Sequence, residues 1–397
     1  MLTIQDPSTK YRISLWHLGF RPFFLGASIF AFISMFIWFG IQSLGWQLQT
    51  ENINSIAWHS HEMIYGYALA VIAGFLLTAV RNWTGVNTLH GWKLAVLFLL
   101  WVAARCLALI PFNHHLLFVA VLELLFISGL LFALLRPVLK VRQWRQLGIL
   151  LIVFSFLLGD ILYFMSILGW WQASYQVGVY IGFYLVLMLI FIMARRVVPF
   201  FIEKGVSASI TIQNWAWLDY LSLILFAVYV LLELLMAHQF SKLLALLLFV
   251  LHGLRLWQWH HREIWTRPLL WVLYLAYSML VLGFAMQGLS LFISISSGLV
   301  THAFAVGGVG VMTIGMMARV ALGHTGRDVF HPPKLLSLIF IIFLFAGITR
   351  VLLPIVFGQY YTLWIAISQI AWMVSFVLFV WLYLPMLIRP RVDGQYG

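Results

Sequence analysis

His59-Ser60-His61-Glu62 sets two imidazoles and a carboxylate at the mouth of an apolar run that continues without a charge to Val80. Neutral imidazole is the commonest side-chain ligand for transition metals, and a neighbouring carboxylate can hold the far N–H of a ligating ring. At membrane depth such groups are expensive and are read as functional by default. The stretch is not a HExxH zinc motif, because position 65 is Tyr65. Residues two apart on a regular helix diverge by about 200°. His59 and His61 therefore address one metal only from an irregular helix start. Otherwise one ligates while the other serves a second metal or a hydrogen bond, or both sit among headgroups and bind nothing.

Other ionisable groups fall at comparable depth. His302 opens a later apolar run, and Arg105, Glu123, Asp160 and Arg350 lie inside runs of their own. An Arg105–Glu123 ion pair joining two helices is one expectation. The other is that Arg105 and Arg350 meet an anionic group such as haem propionates, for which a planar guanidinium fork is suited. Asp160 is a partner for Arg350 or a proton-pathway residue. His324 lies 22 residues beyond His302, roughly 33 Å along a continuous helix. His59, His61 and His302 can converge, and His324 belongs to the opposite face.

The elements that must position these groups are membrane helices. The chain is 64% hydrophobic and 9% charged, with a mean hydropathy of +1.02 over 397 residues, which excludes a soluble globular domain. Twelve apolar runs are expected, at about 20–41, 60–80, 94–110, 116–135, 147–168, 176–194, 215–236, 243–258, 268–287, 297–318, 335–355 and 361–388. Lipid admits only helices and closed barrels, and runs of this length mean helices. Twenty of the 23 lysines and arginines fall at the two termini or in even-numbered loops. By the positive-inside rule both termini are cytoplasmic. That distribution accounts for the net charge of +12 without nucleic acid. Residues 1–11 are polar and form no cleaved signal peptide. The single cysteine, Cys106, rules out an internal disulfide and is expected to pack as a small hydrophobe. The expected fold is an all-α polytopic membrane protein, one integral domain over residues 1–397.

Small-residue stripes mark two of these runs: Gly66, Ala70 and Gly74 in the second, and Gly307, Gly308, Gly310 and Gly315 in the tenth. Such stripes let neighbouring helices approach closely. Met312, Met316 and Met317 read as packing rather than copper ligands.

Several blocks together resemble the bacterial NnrS proteins, in the right order and over almost the whole length. They are Gly19-Phe20-Arg21-Pro22-Phe23-Phe24-Leu25, Trp58-His59-Ser60-His61-Glu62-Met63, residues 74–85, residues 196–201, His302-Ala303-Phe304-Ala305-Val306-Gly307-Gly308 and residues 316–327. One departure is Arg81, where the family pattern leads one to expect proline. The resemblance implies a multi-pass protein of the bacterial inner membrane that carries haem, of the b type, and copper. It also implies a role in nitric oxide metabolism or resistance to nitrosative stress, alongside denitrification. The family's histidines map onto His59, His61, His302 and His324, and its in-span arginines onto Arg105 and Arg350. Topology then gives an outer site of His59, His61 and His302, with Glu62 beside them. His324 falls in an inner element with Thr325, Gly326, Arg327 and Arg21. The expected partners are nitric oxide or a related species, membrane lipid and an electron donor of unknown kind.

Turnover as an NO-reacting haem–copper oxidoreductase is left open. The rival reading is a secondary transporter for a small molecule or a metal–nitrosyl complex, which twelve helices with in-span charges also suit. It is weakened by the lack of an internal repeat. A terminal oxidase or NO reductase ranks last, since those enzymes bury more histidines within the bundle.

Overall fold

A computed structural model describes residues 13–47, 53–110, 114–172, 174–206 and 210–397. Residues 1–11, with Lys10, and Arg12 lie outside the described residues, as do 111–113 of the expected turn between the third and fourth runs. Among the described residues the chain is helical, with no strand. Its helices are α1 (Phe20–Leu44), α2 (Ser55–Thr84), α3 (Trp92–Leu107), α4 (His115–Lys140), α5 (Trp144–Ile167) and α6 (Gln176–Gly205). They continue as α7 (Ala216–Leu234), α8 (His238–Trp259), α9 (Pro268–Leu289), α10 (Ser297–His324), α11 (Leu335–Val356) and α12 (Gly358–Ile388).

Each expected run is a helix. Eleven are long and apolar enough to cross a membrane; α3, at 16 residues, is shorter. At 1.5 Å per residue it spans about 24 Å, less than a hydrocarbon core of about 30 Å. Cys106 is exposed on α3 rather than packed, because the buried face of that helix runs through Leu94, Leu97, Trp101, Ala104 and Arg105.

Local chemistry sets the helix ends. The Asn54 side chain accepts the Ala57 N–H at 2.7 Å and caps the start of α2. Gly45 and Gly85 take left-handed conformations that close α1 and α2. Pro268 opens α9, where its missing N–H leaves no bond unmade.

The chain divides into two compact units. The first holds α1 to α5, the start of α6, residues 320–327 and residues 376–397. In it α1 packs against α2, α3 against α4 and α4 against α5. A Cβ on Gly74 would lie 2.9 Å from Phe23, so the small-residue stripe of α2 lets α1 approach closely. The second unit holds residues 186–319 and 328–375. There α9 and α11 pack on α10, and a Cβ on Gly308 would sit 2.2 Å from Leu280 of α9.

Two spans depart from regular helix. In α2, residues Glu62–Ala68 form a π-helix directly after His61. In α10, Ala303–Gly310 does the same directly after His302. Hydropathy carries no sign of an i→i+5 register, so the sequence gives no warning of either. Such wide turns recur at functional sites.

A buried carboxylate–histidine–arginine cluster

Alternating helix directions bring distant residues to one depth in the first unit. His61 and Glu62 lie early in α2, Glu123 is the ninth residue of α4, Arg105 is near the end of α3, and Asp160 sits in the second half of α5. All five side chains are buried, Asp160 completely. His61 Nε2 lies 2.9 Å from Asp160 Oδ1 and 3.3 Å from Glu123 Oε2, and Nδ1 lies 3.5 Å from Glu62 Oε1. Arg105 forms ion pairs with both glutamates, through Glu62 Oε2 and Glu123 Oε1. Each glutamate thus turns one oxygen to the guanidinium and the other to the imidazole. The fork of Arg105 fixes the spacing of the carboxylates by its own planar geometry.

Packing holds the centre in place. The His61 ring stacks on Tyr163, with centroids 4.1 Å apart, and on Tyr65 at 5.0 Å. The Tyr65 hydroxyl donates to the Gly178 carbonyl at 2.8 Å. Its ring fills space that a side chain at Gly182 would occupy. Gly66 performs the same service for the charges: a Cβ there would lie 2.8 Å from Glu62 Oε2 and 2.9 Å from Arg105 Nη1. The Trp101 indole N–H donates to the Gly66 carbonyl at 2.9 Å, inside the π-helix.

Charge decides what the cluster can do. Three carboxylates face one guanidinium and one imidazole. With all three ionised, one negative charge stays uncompensated even with a proton on both His61 nitrogens. Burying a net charge is strongly unfavourable unless a counter-ion enters or a proton is taken up. Asp160 Oδ2 is buried with no hydrogen-bond partner, an open acceptor on the same cluster. His61, Glu62 and Glu123 each offer a ligand atom within 4.8 Å of the others, an arrangement able to hold a metal ion.

His59 turns away from this centre and stacks on Trp38 of α1, with centroids 4.2 Å apart and planes within 5°. That is the divergence expected of neighbours two apart. In the second unit His302 meets Arg350. Its Nδ1 lies 2.6 Å from the Gly298 carbonyl, and Arg350 Nη2 is 3.2 Å from Nε2. The carbonyl fixes the proton on Nδ1, so Nε2 carries the lone pair. His324 closes α10 at its far end. There its ring contacts Phe20 at 5.6 Å and its carbonyl accepts from Arg391.

Of the residues expected at the site, His61, Glu62 and Arg105 come together, and His302 joins Arg350. Glu123, expected only as an ion-pair partner of Arg105, also faces His61. Asp160 was open between two roles, and its partner is His61. Its position halfway along an uncharged span was the signal, but no sequence period names the helix it faces.

Comparison with known proteins places the chain. The family model described as NnrS protein matches residues 14–391. Among curated proteins none matches it.

Proposed function

The chain belongs to the NnrS family, and we propose that it is a haem- and copper-carrying protein of the bacterial inner membrane that meets nitric oxide or a related species. The observation that carries this reading is the excess of buried carboxylate around His61, which a bound cation would balance. The residues fit a divalent transition metal. A mixed imidazole and carboxylate set suits copper(II) better than soft copper(I), which prefers sulfur. His61, Glu62 and Glu123 would hold it, with Asp160 as a further oxygen donor. Bound there, copper supplies Lewis acidity and one-electron chemistry.

The chain's own groups do the rest. Arg105 neutralises part of the carboxylate charge and orients both glutamates. Tyr65 and Tyr163 close the faces of the imidazole. The surrounding apolar shell excludes water, which strengthens every charge interaction inside it.

For haem the fitting residues are His302 and Arg350. With Nδ1–H held by a backbone carbonyl, His302 keeps its lone pair on Nε2, the form that metals take, and a haem iron would replace the Arg350 Nη2 contact there. Arg350 is half-buried, and its Nη1 is a buried atom with no hydrogen-bond partner. That leaves donor capacity for a propionate.

The test is an optical spectrum of the detergent-purified protein, reduced and then exposed to NO, with metal analysis of the same sample. The expected result is a haem spectrum that shifts with NO, and copper. His61→Ala and Glu123→Gln should then lower copper while leaving haem, and His302→Ala should lower haem. Full retention of both by all three variants would overturn the assignment. A colourless, metal-free protein that cannot be reconstituted would overturn the function itself.

A further inference from the structure

At the opposite ends of the helices that carry the His61 cluster, the first unit has an open cavity of about 430 Å³. The loop after α2, the start of α3 and the last nine residues of α4 form its walls. Lys93, Arg136 and Lys140 line it together with His90, and no carboxylate does. Among the described residues of this unit, none of these three cations pairs with a carboxylate. The carboxylates among the described residues of this unit are Glu62, Glu123, Asp160 and Asp393. The first three are committed to Arg105 and His61, and Asp393 pairs with Arg391. By sequence, residues 81–159 contain no acid other than Glu123.

The walls are built rather than slack. Arg81 Nε donates to Asn87 Oδ1 at 2.8 Å, and the Thr88 hydroxyl donates to the Leu77 carbonyl at 2.7 Å. Gly91 N–H reaches the Trp16 carbonyl at 2.8 Å. Gly85 and Gly91 adopt positive φ that other residues reach only with strain. The apolar side is equally specific. Phe132 lines the cavity and is 66% exposed. Above it Leu125 and Val121 continue an exposed apolar stripe up α4, and Val96 and Leu99 continue another up α3. Trp92, with Lys93 Nζ over its ring, marks the headgroup level.

We propose that this cavity is a binding site for an anionic phospholipid, with the phosphate among Lys93, Arg136 and Lys140 and the acyl chains along the stripes of α3 and α4. Charge and shape together favour a lipid over a soluble anion, since the cations and the apolar stripes adjoin. Basic pockets between membrane helices take acidic headgroups for the same reason.

The test uses the full-length protein in a zwitterionic detergent. Phosphatidylglycerol, phosphatidylcholine or inorganic phosphate is added, and native mass spectrometry and thermal unfolding are read. The wild type should retain phosphatidylglycerol over phosphatidylcholine and be stabilised by it. Each cation at an acidic headgroup is worth roughly fivefold in affinity, so K93Q/R136Q/K140Q should weaken retention by about a hundredfold. Should the triple variant fail to fold, Arg136→Gln alone should still lower retention. Equal retention by wild type and folded variants overturns the proposal. So does stabilisation by inorganic phosphate equal to that by the lipid, which would assign the cavity to a soluble anion.

Discussion

The chemistry at the centre of the first unit depends on a single cation. Arg105 holds Glu62 and Glu123 while His61 bridges to Asp160. Replacing it with glutamine leaves three buried carboxylates against one imidazole. Stranding buried charge in this way costs about 3–5 kcal/mol. Arg105→Gln should therefore lower the midpoint of thermal unfolding in detergent, and Arg105→Gln/Glu123→Gln should recover much of the loss. A double variant no more stable than the single one would show that Arg105 serves something other than charge balance. Gly66 tests the geometry instead of the charge. A methyl there meets Phe30 at 2.7 Å as well as the Glu62–Arg105 pair. Overpacking of this kind costs about 1–3 kcal/mol. Gly66→Ala should unfold at lower temperature, and a midpoint equal to wild type would mean that the π-helical turn yields without strain. The residue types of this cluster were legible in sequence because charges inside apolar runs stand out. The Arg105–Glu123 pairing was legible because a short turn joins their helices. The place of Asp160 was not, since one charged position in a span does not say which neighbour it meets.

Twelve elements were readable from hydropathy because lipid imposes helix on every long apolar run. What hydropathy misses is how a helix is wound and what fastens its end. The π-helical turns after His61 and His302 are one such feature. The fastening of α12 is another. Arg21, fully buried, donates from Nη1 to the carbonyls of Met386, Leu387 and Arg389. These are the carbonyls that a helix end leaves without partners. The segment beyond α12 folds back as well: the Tyr396 hydroxyl donates to the His17 carbonyl at 2.8 Å, and its ring stacks on the His17 ring at 4.7 Å. Burial first, and then the charge of Arg21, hold His17 below its ordinary value of 6.5, outweighing the opposing contact with Gly397. A histidine lowered in the folded state binds fewer protons there than when unfolded. Its contribution is present above pH 6.5 and is lost as pH falls below that value. Protection of the amides over residues 389–397, taken relative to their intrinsic exchange rates at each pH, should therefore be lower at about pH 5.5 than at about pH 7.5. His17→Phe, which keeps the stack without the charge, should flatten the difference. Equal protection at both values in the wild type would refute the coupling.

For the molecule as a whole, the open quantity is its orientation in the membrane. The basic residues fall on alternate loops, so the rule that excess lysine and arginine face the cytoplasm gives one answer. The connection between α4 and α5, with Arg142, is then inside, and the uncharged connection over residues 290–296 is outside. Under the same rule His61 and His302, at the starts of even-numbered spans, face outward, and the proposed lipid cavity faces the cytoplasmic leaflet where acidic headgroups would meet it. Labelling can decide this without a cofactor. In a Cys106→Ala background, Ser290→Cys should react in intact cells with an impermeant maleimide, whereas Gln143→Cys and Gln395→Cys should react only after permeabilisation. The reverse pattern would turn the His61 cluster toward the cytoplasm, where the copper proposed for it would meet a reducing environment that favours copper(I) and sulfur ligands. Imidazole and carboxylate donors suit the opposite compartment. The chemistry of the cluster and the charge of the loops are independent properties of the sequence, and they point to the same side of the membrane.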